Sequence, residues 1–318
     1  MKLTIPRQKN RMQKLKLIYL FSPSFSGSTL LTLALNHHPD IASIGEVKAT
    51  AMGDVSNYHC SCGVLLNDCD FWKGIAKKIN RLGYQFELDN FGTHYGSSNW
   101  LKNRILGAQV RGEHFEYLRG KVIEHWPTLQ KEFNSINRLN FDLTRILKAQ
   151  LKGKYFLDSS KDPQRLLYLH ETSKYDVRVI KMFRNGLAQS NSCRKKVELR
   201  MSFVDAVRDW TSTVSQIERV CRKFNTENIF SLSYEEFCQA PKNTIDEISE
   251  WLNLEPMTID WSNLNTISQS NHVLGNSMRT QKNISIKLDN SWESEVSKKE
   301  RELFRRIAGK TNRLLGYK

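Results

Sequence analysis

The 318-residue chain is 39% hydrophobic and 25% charged, an ordinary globular composition that supplies core for one large α/β domain or two smaller ones. Its 48 basic and 33 acidic residues leave a net charge of +15, which implies an anionic partner; the Lys and Arg are spread along the whole chain without a zinc-finger or RNP pattern, which argues against nucleic acid. The longest early apolar run, 15–21, is interrupted by Lys16 and is too short for a signal segment or a membrane span, so a cytoplasmic protein with reduced cysteines is expected.

Residues 1–14, with Lys2, Arg7, Lys9, Arg11 and Lys14, read as a frayed basic tail. A buried strand is predicted over 15–21, then a turn-rich stretch from Ser22 to Ser28, then an apolar helix from Thr29 to Asn36. Further strands are predicted over 41–44, 154–157, 177–183 and 229–232, separated by segments of helical period such as 164–172. Such alternation predicts an α/β fold with a central parallel sheet flanked by helices. A long insert, 47–152, lies between the second and third strands. Its later part carries a helix-spaced apolar stripe, Leu101, Ile105, Leu118, Val122 and Trp126, and reads as an inserted helical subdomain. With no repeat and no Pro/Gly-rich linker, residues 1–318 are expected to form a single domain closed by a basic amphipathic helix over 295–315.

A small-residue loop between a strand and a helix aims backbone N–H groups and the positive end of the helix dipole at one point, which suits an anion. Ser26, Gly27, Ser28 and Thr29 meet that requirement. Gly27 lets backbone approach closely, and the hydroxyls of Ser28 and Thr29 can donate to phosphate oxygens; a plain helix N-cap would carry the same residues. The Walker pattern of a P-loop kinase or hydrolase ends in Gly-Lys, and here Ser28 follows Gly27 directly. The charge that neutralises a bound phosphate must therefore come from later in the chain, and a nucleotide kinase is the alternative reading.

The run from Ser24 to Leu31, followed by His38-Pro39-Asp40-Ile41 and Gly45-Glu46, resembles the 5'-phosphosulfate loop of sulfotransferases that use 3'-phosphoadenosine 5'-phosphosulfate (PAPS). The resemblance recurs in order downstream. Asp158-Ser-Ser-Lys-Asp-Pro163 is similar to the lysine-bearing strand end of the carbohydrate and tyrosylprotein branches, and Phe183-Arg184-Asn185-Gly186 with Ser192 is similar to the 3'-phosphate site. Ser233-Tyr234-Glu235-Glu236 through Pro241 and Trp251-Leu252 resembles the later strand and helix. The run from His272 to Arg279, with Asp289, Trp292 and Leu315-Gly316-Tyr317, resembles the C-terminal segment that covers PAPS in bacterial members. A Cys-Ser-Cys-Gly stretch from Cys60 to Trp72 also resembles bacterial relatives.

The resemblance implies a P-loop-like fold and transfer of a sulfuryl group from PAPS to an acceptor hydroxyl, with no metal required. It assigns Ser24, Phe25, Ser26, Gly27, Ser28, Thr29 and Leu30 to the phosphosulfate, Arg184 and Ser192 to the 3'-phosphate, and Arg279 to an added cation. Ser190 and Arg194 are substitutes near the 3'-phosphate. Glu46 is the expected base, with His37 and His38 as alternatives, and Lys161 is expected to reach the oxygen bridging sulfur and phosphorus. Phe25 stands where many relatives carry Lys or Arg, so the load on Lys161 should be heavier. The insert is expected to recognise the acceptor, a saccharide or glycan precursor, with tyrosyl and small-alcohol acceptors left open. Tyr84, Phe86, Phe91, Tyr95 and Trp100 either stack on sugar rings or form the small core of the insert. His59, Cys60, Cys62 and Cys69 offer four soft ligands, but Cys-x-Cys departs from the usual paired zinc spacing, and the thiols read as packed beneath Phe71 and Trp72.

Overall fold

Alternation along β1, Leu15–Phe21, sends Leu17, Tyr19 and Phe21 to one face and Ile18 and Leu20 to the other. Both faces are apolar, as a central parallel strand requires. In the computed structural model, which describes residues 14–48, 58–196, 199–258, 261, 264–265, 271–273, 277–281 and 283–317, β1 is the middle strand of a five-stranded parallel sheet. The order is β2-β3-β1-β4-β5, with β2 Ile41–Ser43, β3 Tyr155–Asp158, β4 Tyr175–Phe183 and β5 Ile229–Ser233. Register pairs Leu17 with Phe156 on one side and with Val177 on the other. The predicted α/β class and the five strands are what the structure contains, with ends displaced by one or two residues.

Helix α1, Ser28–Leu35, covers the face carrying Ile18 and Leu20. It shares that core with Phe237 of α9, Tyr234–Gln239, and Ile245 and Ile248 of α10, Pro241–Trp251. The opposite face packs α2, Asp70–Asn80, and α5, Pro127–Gln150, together with α6, Pro163–Glu171, and α8, Phe203–Cys221. After the one-turn α11, Trp292–Glu295, the closing helix α12, Lys298–Leu314, joins the same face. Local chemistry marks the starts. Ser233 with Glu236 and Ser297 with Glu300 form capping boxes, and Pro127, Pro163 and Pro241 occupy the first turns of their helices.

The insert is helical, but the apolar stripe expected from sequence does not form one face. The chain leaves the helix between α3, Trp100–Leu106, and α4, Glu113–His125, so residues on either side of Gly107 and Gly112 do not share one helical phase. Leu118 is 60% exposed, and Leu101 and Val122 are exposed as well; α4 instead buries Ile123 and the Glu116–Arg119 ion pair. The aromatics divide differently too. Phe86 and Phe91 stack near Trp72, Tyr95 packs on Phe133 and Tyr168, and Trp100 is 68% exposed. Phe86, Phe91 and Tyr95 are therefore core. The basic tail, apart from Lys14, and residues 274–276 of the C-terminal motif lie outside the described residues. No helix among the described residues is long and apolar enough to cross a membrane.

Candidate active site

All five strands point their carboxyl ends at one region, and β1 is where the chain order reverses, with β3 and β2 to one side and β4 and β5 to the other. Open α/β sheets bind ligands in such a place. The 22–27 loop leaves β1 there. Phe25 and Gly27 both adopt left-handed backbone, φ 62° and 83°, which curls the loop back over the strand end. At Gly27 a side chain is doubly excluded, since a Cβ would lie 2.3 Å from Tyr234 Cδ2. Phe25 carries a Cβ in the same region and stores strain of about 1–2 kcal/mol. Helix α7, Gly186–Arg194, braces the loop: Gln189 Nε2 donates to the Ser24 carbonyl at 2.7 Å. Ser28, Thr29 and Leu30, the first turn of α1, line the cavity at this strand end.

Arg184 follows β4. Its side chain is buried, 5% exposed, and its guanidinium lies over the Tyr234 ring, 4.6 Å from the centroid. Nη1 donates to the Phe25 carbonyl at 3.3 Å and to Ser192 Oγ at 3.2 Å, while Nη2 donates to the Asp289 carbonyl and carboxylate, both at 3.0 Å. Nε is buried with no hydrogen-bond partner. Burial would raise the Asp289 carboxyl, but hydrogen bonds from Ser291 and the Arg184 charge hold it below the usual carboxylate range.

Lys161 and Glu46 come from the loops after β3 and β2, and they form an ion pair across 115 residues of sequence. A buried carboxylate holds both loops. Asp158 Oδ1 accepts from the Ser160 amide at 3.0 Å and the Val47 amide at 3.4 Å, and the Gly45 carbonyl accepts from the Ser159 amide. Asp158 Oδ2 is paired with Arg165 Nε at 2.8 Å, both side chains 1% exposed; Arg165 also donates to Asn140 Oδ1 and to the Thr93 carbonyl. An unpaired charge at either position would be costly, so the pair fixes Glu46 and Lys161 through backbone geometry. Lys161 itself is left-handed, φ 59°.

These groups line two adjoining cavities. The first, about 930 Å³, runs past Ser24, Phe25, Gly27, Ser28, Thr29 and Leu30 to Arg184 and Ser192, a size suited to a nucleotide. Among the described residues, five cations line it, Lys161, Arg184, Lys195, Lys196 and Lys287, against two carboxylates, Glu46 and Asp289. The second, about 510 Å³, shares Ser24, Glu46 and Lys161 with the first, and no aromatic side chain among the described residues lines it. Its walls include Gln109 from the insert and Asp209, Thr213 and Gln216 from one face of α8; burial raises the Asp209 carboxyl above its ordinary range.

Most of the residues singled out from sequence meet here, and the rest do not. Ser26 Oγ is buried with no hydrogen-bond partner and lines neither cavity. Arg279 is not among the residues lining either cavity; it donates to the His59 carbonyl at 2.7 Å and covers Tyr58. Arg194 pairs with Glu300, and Ser190 is buried in α7 with no hydrogen-bond partner. His38 bonds the Glu255 carbonyl and accepts from the Asp40 amide, a turn-closing role, and burial lowers the His37 pKa. Missed from sequence were Lys287 and the lining role of Tyr234. Tyr234 begins α9 beyond the last strand end, a position that a helix-cap reading alone could have flagged.

A helix start and a buried arginine line one cavity beside a carboxylate–ammonium pair, an arrangement suited to an anionic donor and to group transfer. A family model described as "Sulfotransferase family" matches residues 85–258, more than half of the chain, and the chain belongs to that family: it is a sulfotransferase. No curated protein matches the sequence. Among solved structures, the sulfotransferase domain from the curacin biosynthetic pathway is 15% identical with a TM-score of 0.51, covering 96% of this chain and 99% of that one; at this identity the likeness is one of fold. The sulfotransferase domain from the Synechococcus PCC 7002 olefin synthase is 16% identical, with a TM-score of 0.47 and coverage of 93% and 96%. Mouse sulfotransferase SULT7A1, solved with PAP, is 12% identical, with a TM-score of 0.46 and coverage of 95% and 88%.

Proposed function

We propose that the protein transfers the sulfuryl group of PAPS to a hydroxyl of a saccharide or glycan precursor. The observation that carries this reading is the Glu46–Lys161 pair at the junction of a cation-lined cavity and a polar, non-aromatic one. PAPS occupies the first cavity, with its 5'-phosphosulfate at the start of α1 and its 3'-phosphate on Arg184 and Ser192. The orphaned Arg184 Nε and the left-handed Gly27 turn fit such a ligand. The acceptor enters the second cavity, where the insert supplies Gln109 and α8 supplies Asp209, Thr213 and Gln216. Such walls suit a ring bearing several hydroxyls better than a phenol or a tyrosyl side chain, and they support the acceptor-recognition role of 47–152. We place the protein in the cytoplasm, where its six free cysteines stay reduced.

As the acceptor oxygen bonds to sulfur, Glu46 takes its proton and the bond from sulfur to the bridging oxygen breaks. Lys161 donates to that departing oxygen, leaving a sulfate ester and adenosine 3',5'-bisphosphate. Before ligands arrive the two side chains neutralise each other. The test is transfer from labelled PAPS to a panel of saccharides, phenols and tyrosyl peptides. Label on saccharides is expected. Label confined to phenols or peptides would refute the acceptor, and stabilisation by ATP in preference to the bisphosphate would refute the donor.

A further inference from the structure

We propose that Cys60, Cys62 and Cys69 bind a structural zinc ion that holds the 58–70 segment in the shape that meets Asn271, His272 and Arg279. The three Sγ atoms lie within 4.8 Å of one another, and Cys62 and Cys69 are 3.6 Å apart. Tetrahedral zinc with Zn–S bonds of about 2.3 Å needs sulfurs about 3.8 Å apart, so side-chain shifts of about 1 Å complete the set. Among the described residues this is the one such cluster of three or more ligand-bearing side chains.

The backbone around the thiols is shaped for the task. Cys60 and Cys62 sit on a tight turn, closed by the Gly63 amide on the Cys60 carbonyl at 2.9 Å and the Cys60 amide on the Val64 carbonyl at 3.0 Å. Gly63 takes φ 96°, and a Cβ there would meet nothing within 4 Å, so its role is backbone conformation and not packing. Cys69 stands at the N-cap position of α2. Cys60 and Cys69 are buried and Cys62 is half-buried. Soft thiolate sets of tetrahedral spacing select zinc, and binding displaces the three thiol protons.

The cluster is also where this segment meets those three residues. The Ser61 amide donates to the His272 carbonyl at 3.0 Å, and the His272 amide donates to Ser61 Oγ at 2.8 Å. Trp72 Nε1 donates to the Asn271 carbonyl at 3.2 Å, and Arg279 reaches the His59 carbonyl. Apart from a single three-residue helical turn and a bridge between His59 and Leu65, the described stretch before α2 has little regular structure of its own. A metal would supply the rigidity that such a stretch lacks.

The decisive experiment is metal analysis of full-length protein purified under reducing conditions with zinc in the medium. One zinc per chain is expected in the wild type and in Cys238→Ser, and well under half of that in Cys60→Ser, Cys62→Ser and Cys69→Ser. Because the variants could misfold, chelator-stripped wild type is also titrated with Co2+, for which thiolate-to-cobalt charge-transfer absorption saturating at one equivalent is expected. Chelation should lower the wild-type melting temperature by several degrees, and zinc should restore it. Absence of the cobalt band, zinc far below one per chain, or a native Cys62–Cys69 disulfide overturns the proposal.

Discussion

Replacing Arg184 by Ala removes the buried guanidinium of the first cavity, where the 3'-phosphate is proposed to bind. Each hydrogen bond from a charged donor is worth about 1.5–3 kcal/mol, and a phosphate engaging the fork would receive two. Part of that gain is offset because Nη1 and Nη2 must first release the Phe25 carbonyl and Asp289. A net loss of about 3 kcal/mol corresponds to roughly a hundredfold weaker adenosine 3',5'-bisphosphate at about 1.4 kcal/mol per tenfold. Calorimetric titration measures it directly. Arg184→Lys, which keeps the charge and loses the planar fork, should fall between the two, and kcat at saturating PAPS should drop far less than kcat/KM. Thermal unfolding of Arg184→Ala serves as a control, because Asp289 is 47% exposed and can hydrate when left alone. Bisphosphate affinity within threefold of wild type would refute the placement of the 3'-phosphate.

Glu46→Gln should lower kcat by about 10²–10⁴ while leaving bisphosphate affinity unchanged, as pre-steady-state transfer and titration would show; full turnover would move the base elsewhere. Asp289→Asn removes a carboxylate that occupies Arg184 in the ligand-free protein. Bisphosphate should bind more tightly, by no more than about fivefold, since the Asp289 carboxylate is half exposed and a pair with water at one partner is worth about 0–1 kcal/mol, and weaker binding would show that Asp289 helps to hold the ligand. Arg165→Met leaves Asp158 buried without its ion-pair partner, and urea unfolding should show a loss of about 3–5 kcal/mol. Adding Asp158→Asn should recover part of that loss; a neutral effect of Arg165→Met would remove the pair from its anchoring role.

Strands and phosphate loop were legible in the chain because their signals are local. The alternation in Leu15–Phe21, the small residues from Ser22 to Ser28 and the β4 strand that delivers Arg184 each need only a few neighbouring residues to be recognised. The apolar stripe of the insert failed for a related reason: its periodicity runs across Gly107 and Gly112, where the helix is interrupted. Arg279 lines neither cavity and donates to the His59 carbonyl, a partner that its motif position does not name.

What the sequence by itself determined is the family and the position of a small-residue helix start, a carboxylate, an ammonium and a guanidinium, each beyond the end of a recognisable strand. Only the tertiary structure decided that Glu46 and Lys161 touch and that they stand between two cavities of different character. Their separation in sequence is closed by the pairing of β2 with β3, and the buried Asp158–Arg165 pair sets the loops beyond those strands. Side-chain meetings of that kind depend on register and burial across the whole sheet, which no local pattern encodes.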